Sequence, residues 1–380
     1  MCRTMSEKVG ILVDLGNSET RISIARNNVF EDFVFSNRFA KLESKYNIPT
    51  EYRNDKSTIF KYNGASYANG VIVSKEFPST KLIKPYAKQT KTGQLSTDLT
   101  WNLIFIRTLL YLAEVTQTPI EDLDVTFDIR MLLPPSEHDK CSEEIKQEIM
   151  KITEVTVFVP VRLKKEIKIS SVVVLPEGAT AYIGCVYKDM NGQLTVVPEN
   201  EPFTTGNVLV IDIGAGTTDI VNIKDTELVV ASKDTLKEGG NVIESDMKQR
   251  IARKFDYTPD DEAMRVALET GILEKGMDKL PVEDMVCEAK ESLGFVLKNF
   301  LMDYLNRSSI DIQSVKGILV VGGGALPTER DGVIVAPPMA DVLLKFIHEM
   351  TTSAHLVNLC GRNPRSLNLE GLKIYYKFIS

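Results

Sequence analysis

Apolar residues in this chain fall into two patterns. Short runs rich in valine and isoleucine stop at glycine, proline or asparagine, and these predict strands. Longer stretches with apolar residues on a helical repeat predict helices between them. The clearest strand pair is Val208 to Ile223, read as V-L-V-I-D-I-G-A-G-T-T-D-I-V-N-I. An apolar run delivers Asp212 to a tight turn holding Gly214, Ala215 and Gly216. Thr217, Thr218 and Asp219 follow, and a second apolar run leaves. A weaker copy occupies Ile11 to Ile24, I-L-V-D-L-G-N-S-E-T-R-I-S-I. Aligning Asp14 with Asp212 puts Gly16 on Gly214, Ser18 on Gly216 and Thr20 on Thr218. The pattern predicts a hairpin in each half, its tip built to face a phosphate, and therefore an internal duplication.

Around these hairpins, strand and helix patterns alternate, which predicts α/β architecture. Val29 to Lys91 is polar, rich in lysine and tyrosine, and reads as a small inserted subdomain. It holds two strand-like runs, Ser57–Tyr62 and Ser66–Val73, with Asn63-Gly64 as a hairpin turn between them. Leu99 to Glu114 predicts a largely buried helix with the lone tryptophan, Trp101, as a core or interface anchor. Val125 to Leu133 predicts a strand that stops at Pro134-Pro135, and Ser142 to Thr153 a short charged helix. Two strand-like runs, Thr156–Arg162 and Glu166–Ile169, lead to a third, Ser171–Leu175. That run meets Pro176-Glu177-Gly178-Ala179-Thr180-Ala181-Tyr182, whose small residues predict a helix packed close against another backbone. Asn191 to Gly206 reads as a linker.

After the central hairpin, Leu228 to Leu236 predicts a strand, and Glu238-Gly239-Gly240-Asn241 opens a helix to about Phe255. Asp256 to Pro281 reads as a second, helical insertion, and Val282 to Asn306 as a long amphipathic helix. Lys316 to Val321 predicts a buried strand landing on Gly322-Gly323-Gly324-Ala325. Met339 to Leu359 reads as helical, and Asn368, Glu370 and Gly371 precede an aromatic-rich end.

Composition narrows the class. With 380 residues the chain is long enough for two cores. A net charge of −7 argues against a dedicated nucleic-acid surface. No apolar window reaches membrane-spanning length, and Met1 to Lys8 is polar, so a cytoplasmic protein away from membranes is expected. The five cysteines are scattered without a C-x-x-C spacing and read as reduced thiols.

A nucleotide needs backbone N–H groups close to its phosphates, hard oxygen ligands for a divalent metal, and an acceptor to position water. Asp14 and Asp212 supply carboxylates for a metal, reached through its water shell. Gly16, Asn17 and Ser18, with Gly214, Ala215, Gly216 and Thr217, supply two phosphate clamps. Arg21 adds charge to the first clamp, and Glu177 ends a strand where it can hold a water. No P-loop, no dinucleotide G-x-G-x-x-G after a strand, no H-E-x-x-H and no G-x-S-x-G occurs.

Two D-x-G hairpins, P-E-G-A-x-A-Y, a G-G-x-x-I helix start, an E-x-K-x-x-x-G helix and a late G-G-G-A occur in one order from Val9 to about Phe378. In that order the chain resembles the actin-like ATPases. The P-E-G wording and the final R-S-L-N-L-E-G-L-K-I-Y-Y are most similar to the bacterial plasmid-segregation actins of the ParM and Alp type. The resemblance implies two duplicated α/β lobes, each with a smaller inserted subdomain, and a nucleotide in the cleft. The first lobe would run over about 1–175, with an insertion at about 29–95, completed by about 345–380. The second would run over about 176–344, with an insertion at about 240–300.

The resemblance also assigns roles. Asp14 and Asp212 lie near magnesium, and Gly16–Ser18 and Gly214–Thr218 hold the phosphates. Glu177 activates water, with Asp212 as its catalytic partner. Gly239 and Gly240 lie near the sugar, Glu288 and Lys290 near ribose and adenine, and Gly322, Gly323, Gly324 and Ala325 against the nucleoside. Arg21 departs from the lysine of eukaryotic actins, and the two differ in donor geometry.

The expected function is an ATPase that polymerises with bound ATP and magnesium and hydrolyses it to destabilise the filament. It would segregate plasmid DNA through an adaptor protein, without binding DNA itself. Glycines and carboxylates read phosphate and metal, so GTP is admitted beside ATP. The alternative is a sugar or acid kinase of the same superfamily. A DnaK-type chaperone would need a separate peptide-binding domain, and a cell-shape actin an amphipathic N-terminal segment.

Overall fold

The computed structural model describes residues 7–16, 19–78, 81–83, 91–348 and 363–379. They form two compact units, Met1–Pro176 and Glu177–Ile379.

The first unit contains β1 (Glu7–Leu15), β2 (Glu19–Arg26), β3 (Val29–Ser36), β4 (Ala40–Leu42), β5 (Ser57–Tyr62) and β6 (Ala65–Gly70). Then come α1 (Val71–Glu76), α2 (Leu95–Thr116), β7 (Val125–Leu133), α3 (Pro135–Met150), β8 (Glu154–Val159), β9 (Leu163–Glu166) and β10 (Ile169–Pro176). One sheet has the order β10-β7-β1-β2-β3, with β1 parallel to β7 and antiparallel to β2. Its central strand β1 is buried almost throughout, as a strand covered on both faces must be. Helix α2 is apolar nearly all round and supplies Leu103, Phe105 and Leu109 to the core, with Trp101 only 2% exposed.

A second sheet has the order β4-β6-β5-β8-β9. The stretch read as one insertion is therefore divided between sheets. β3 is the edge of the first sheet, whereas β5 recruits β8 and β9 from far along the chain. Two boundaries also move. The apolar run after Ser66 leaves the strand at Gly70, whose φ of 92° turns it into α1; a Cβ there would lie 2.2 Å from the Lys56 carbonyl oxygen. Helix α3 begins at Pro135 rather than Ser142. Proline has no N–H to lose in a first helical turn, so Pro134-Pro135 ends the strand and starts the helix together.

The second unit contains α4 (Ala179–Val186), β11 (Tyr187–Met190), β12 (Gln193–Val196), β13 (Asn207–Ile213), β14 (Thr218–Lys224), β15 (Glu227–Leu236), α5 (Gly240–Phe255) and α6 (Asp261–Thr270). It continues with β16 (Ile272–Lys275), β17 (Asp278–Pro281), α7 (Glu283–Arg307), β18 (Val315–Val321), β19 (Thr328–Arg330), β20 (Val333–Ala336), α8 (Met339–His348) and α9 (Leu367–Phe378). Its main sheet, β15-β14-β13-β18, repeats the pairing of β3-β2-β1-β7. One face packs Leu209, Ile211 and Ile213 against α5, α7 and α8. The other packs Val208, Val210 and Val321 against Ala181, Tyr182 and Cys185 of α4 and Leu367 of α9. Helices α5 and α7, placed by the sequence in an insertion, thus belong to the core of this sheet.

Part of the presumed linker is the hairpin β11–β12, turned at Asn191-Gly192 with both residues at positive φ. The hairpin β19–β20 turns the same way at Asp331-Gly332. The presumed helical insertion at Asp256–Pro281 is α6 followed by the hairpin β16–β17. The predicted helix from Met339 to Leu359 is described only to His348. Cys141 and Cys287 are free thiols, but Cys185 is disulfide-bonded. Cysteine spacing carried no information about that pairing. Among the described residues no helix is long and apolar enough to cross a membrane.

The C-terminal helix, expected to complete the first lobe, packs on α4 in the second unit. The two helices cross backbone to backbone. A Cβ on Gly184 would lie 2.3 Å from the Leu367 carbonyl oxygen, and one on Gly371 would lie 1.7 Å from that of Thr180. Gly371→Ala is therefore expected to lower stability by about 3 kcal/mol, read as a fall in the urea midpoint. An unchanged midpoint would mean that α9 can lift from α4 without cost.

Candidate functional site

Strand β13 carries Asp212 to the end of its sheet, where the carboxylate is only 6% exposed. The turn beyond closes with the Gly214 N–H donating to the Thr217 carbonyl at 2.9 Å. The loop opening α5 docks on that turn. Gly240 N–H donates to Gly214 O at 2.9 Å, Asn241 N–H to Ala215 O at 2.7 Å, and the Thr218 hydroxyl to Glu238 O at 2.8 Å. A Cβ at Gly239 would stand 2.5 Å from Gly214 O, so glycine there is demanded by the protein's own backbone.

The loop after β18 closes the other side. Gly322 has φ of 91°, and a Cβ there would lie 2.3 Å from Asp212 Oδ1. One at Gly324 would strike Ile213 at 2.5 Å. Gly240 and Gly323 differ from these, because a Cβ at either would meet nothing nearer than 3.5 Å. Three glycine-bearing loops thus converge on one carboxylate. A concavity of about 420 Å³ opens beside them, its lining including Gly216, Gly239, Asn241, Ser245 and Asp246.

Asp212 Oδ2 accepts from Asn368 Nδ2 at 2.5 Å. Asn368 Oδ1 in turn accepts from the Gly178 N–H at 3.1 Å and the Thr180 hydroxyl at 3.0 Å. Glu177, half-buried, stands beside Gly178 at the start of α4. The Gly178 N–H, next to Glu177 in the chain, is therefore linked to Asp212 through Asn368, a residue to which no motif gave a part. Its signal was a single polar residue between the apolar Leu367 and Leu369.

In the first unit, Asp14 pairs in register with Arg21. Gly16 O accepts from Asn37 Nδ2 at 2.6 Å, and Asn37 Oδ1 accepts from the Thr20 hydroxyl at 2.6 Å. Asn37 holds this turn, and nothing in its sequence surroundings marks it. Asn17 and Ser18 lie outside the described residues. Arg21 is ion-paired with Glu19 two residues earlier on the same strand face.

The predicted pair on α7 does not converge. Residues two apart on a helix point to different sides. Glu288 is exposed and ion-paired with Arg250 of α5, which also grips Asp246 at 3.0 Å. Lys290 is 4% exposed, and its ammonium donates to Leu326 O at 3.0 Å, Pro337 O at 2.9 Å and Thr328 Oγ1 at 3.3 Å. Burial pushes its pKa down to about 8. Ala325 is wholly buried in the core. Lys290, Ala325 and Thr218 thus hold the loops in place, while Gly216 and Gly239 line the concavity beside them.

Comparison with known proteins finds the same fold elsewhere. Residues 210–331 match the C-terminal model of the archaeal actin homologue MreB-like family. The actin-like protein Alp7A is similar in structure with a TM-score of 0.70 at 16% identity, covering 97% of this chain and 96% of that one. The archaeal actin homolog Ta0583 has a TM-score of 0.67 at 16% identity, covering 98% and 99%. ParM of Bacillus thuringiensis with ATP has 0.63 at 15% identity, covering 97% and 98%. No curated protein sequence matches the chain.

Lys290→Met would strip two backbone carbonyls of their donor. It is expected to lower stability by about 2 kcal/mol, read as a fall in the midpoint of chemical denaturation. An unchanged midpoint would mean that Lys290 does not hold these loops.

Proposed function

We propose that this chain, which has the actin-like fold, is a nucleotide-dependent, filament-forming ATPase. The observation that carries this reading is the convergence of three glycine-bearing loops on Asp212 at the ends of the parallel strands β13 and β18. In α/β sheets the carboxyl ends of parallel strands are where ligands are received. Similar structures described with ATP and with ADP add support.

In this reading the N–H groups of Gly214 to Thr217 hold the phosphates. Gly216 and Gly239 line the concavity assigned to the rest of the nucleotide, with Gly322 and Gly324 keeping the loops in contact. The duplicate turn of the first unit, with Asp14, Gly16, Asn17 and Ser18, is assigned the same phosphate role. Arg21 contributes only if it exchanges Glu19 for phosphate. Glu177 accepts a hydrogen bond from the attacking water and orients it.

A magnesium ion fits these residues as single carboxylates rather than as a cage. Among the described residues no group of three or more His, Cys, Asp or Glu converges, and magnesium characteristically keeps waters and takes one or two carboxylates beside phosphate oxygens. Asp212 would hold it through water, Asp14 is assigned the same part in its own unit, and the ion would neutralise charge on the phosphates.

Polymerisation follows from the ATP-bound state. A head-to-tail contact is heterologous and builds an open filament when its rotation does not close. Hydrolysis then shifts the equilibrium away from the assembling state. With a net charge of −7, the chain is suited to reach plasmid DNA through a basic adaptor protein in the cytoplasm.

Light scattering and pelleting after addition of ATP and magnesium, beside phosphate release, test the reading. Polymer that forms with ATP and disperses as phosphate appears is expected. Phosphate release that depends on an added sugar or acid, with no polymer at any salt, would replace it with the kinase. Glu177→Ala is expected to keep ATP affinity within about threefold, slow phosphate release about 100-fold or more and lengthen filament lifetime. Wild-type hydrolysis in that variant would remove Glu177 from its role.

A further inference from the structure

The C-terminal helix reaches the proposed site at one side chain. Asn368 is 8% exposed and flanked by the core residues Leu367 and Leu369. Burying an amide costs free energy unless its hydrogen bonds are made. Here the carbonyl oxygen takes two donors, the Gly178 N–H and the Thr180 hydroxyl, while the NH2 group donates to Asp212. Those partners fix the amide's orientation, because two donors require the oxygen and a carboxylate requires the nitrogen. No other side chain of this length offers a donor on one atom and an acceptor on the other. Aspartate would set two carboxylates together, and leucine would remove the partner that the Gly178 N–H, the Thr180 hydroxyl and Asp212 share.

The bridge has little slack. On one side, Asp212 Oδ1 is confined by the backbone of Gly322. On the other, α9 is held against α4 by the crossing of Gly371 over Thr180 and of Gly184 under Leu367. Asn368 therefore sets the distance between the Asp212 carboxylate and the turn that carries Glu177.

We propose that Asn368 is a positioning residue for nucleotide hydrolysis, coupling Asp212 to the Glu177–Gly178 turn and making the docking of α9 a requirement for the reaction. This rests on the function proposed above and assigns the C-terminal helix a part in its regulation. Displacement of α9 from α4 breaks both arms of the bridge at once, so a contact that moves α9 switches hydrolysis without touching the nucleotide.

The test uses the full chain and two variants, Asn368→Asp and Asn368→Ser. The first keeps shape and acceptor but replaces the donor facing Asp212; the second removes the bridge without adding charge. Folding is checked by thermal melting, and rates are expressed per nucleotide-binding molecule. Phosphate release is expected to fall about 10- to 100-fold, as small misplacements of reacting groups do, with KM within about threefold. Independently of turnover, the ratio of ADP affinities with and without magnesium is expected to fall toward one as Asp212 loses its fixed position. A purely structural role would lower the melting temperature but leave kcat per binding molecule and the magnesium ratio unchanged. That result in a folded Asn368→Ser overturns the inference alone, even if Asn368→Asp fails to fold. A wild-type chain that neither binds ADP nor releases phosphate overturns the function and this inference with it.

Discussion

A carboxylate taken out of water has to be compensated, and the organisation of the second unit follows from how Asp212 is kept. Its one oxygen accepts from Asn368, and its other lies where Gly322 leaves no room for a side chain. Satisfying the carboxylate thus constrains two loops and the C-terminal helix simultaneously. Because Asn368 also takes the N–H of Gly178, the constraint passes to the start of α4. The buried charge is tolerated through hydrogen bonds on rigid elements, which is also the condition for holding it in one place.

The glycines divide by physical cause. Those at 239, 322 and 324 are required by neighbouring protein atoms, since any Cβ would collide with backbone or with Ile213. Those at 240 and 323 have no such neighbour. A glycine-rich motif therefore mixes positions where neighbouring protein atoms demand glycine with positions where they do not. The same division applies to Lys290, which stands in a ligand-like motif yet gives its hydrogen bonds to loop carbonyls.

Much of the fold was legible in local chemistry. Both D-x-G hairpins form, and the small residues after Pro176 do pack backbone on backbone. Asn191-Gly192 and Asp331-Gly332 carried the same turn signal as Asn63-Gly64, and all three turn hairpins. The first two are harder to read because the runs before them, Y-K-D-M and T-E-R, are short and polar. The strand-to-helix change at Gly70 and the helix start at Pro135 show the opposite case, a residue read as a stop that serves as a junction.

By itself the sequence determined the duplicated hairpins and the glycine turn after Asp212, because each depends on residues adjacent in the chain. Hydrophobic period and turn chemistry act over a few residues, and they are written there. Only the tertiary structure decided that β5 pairs with β8, that Lys290 turns inward, and that Asn368 meets Asp212 across 156 positions of chain. Such contacts are set by how whole elements pack, and a polar residue shows its partner only once the backbones carrying both have been brought together.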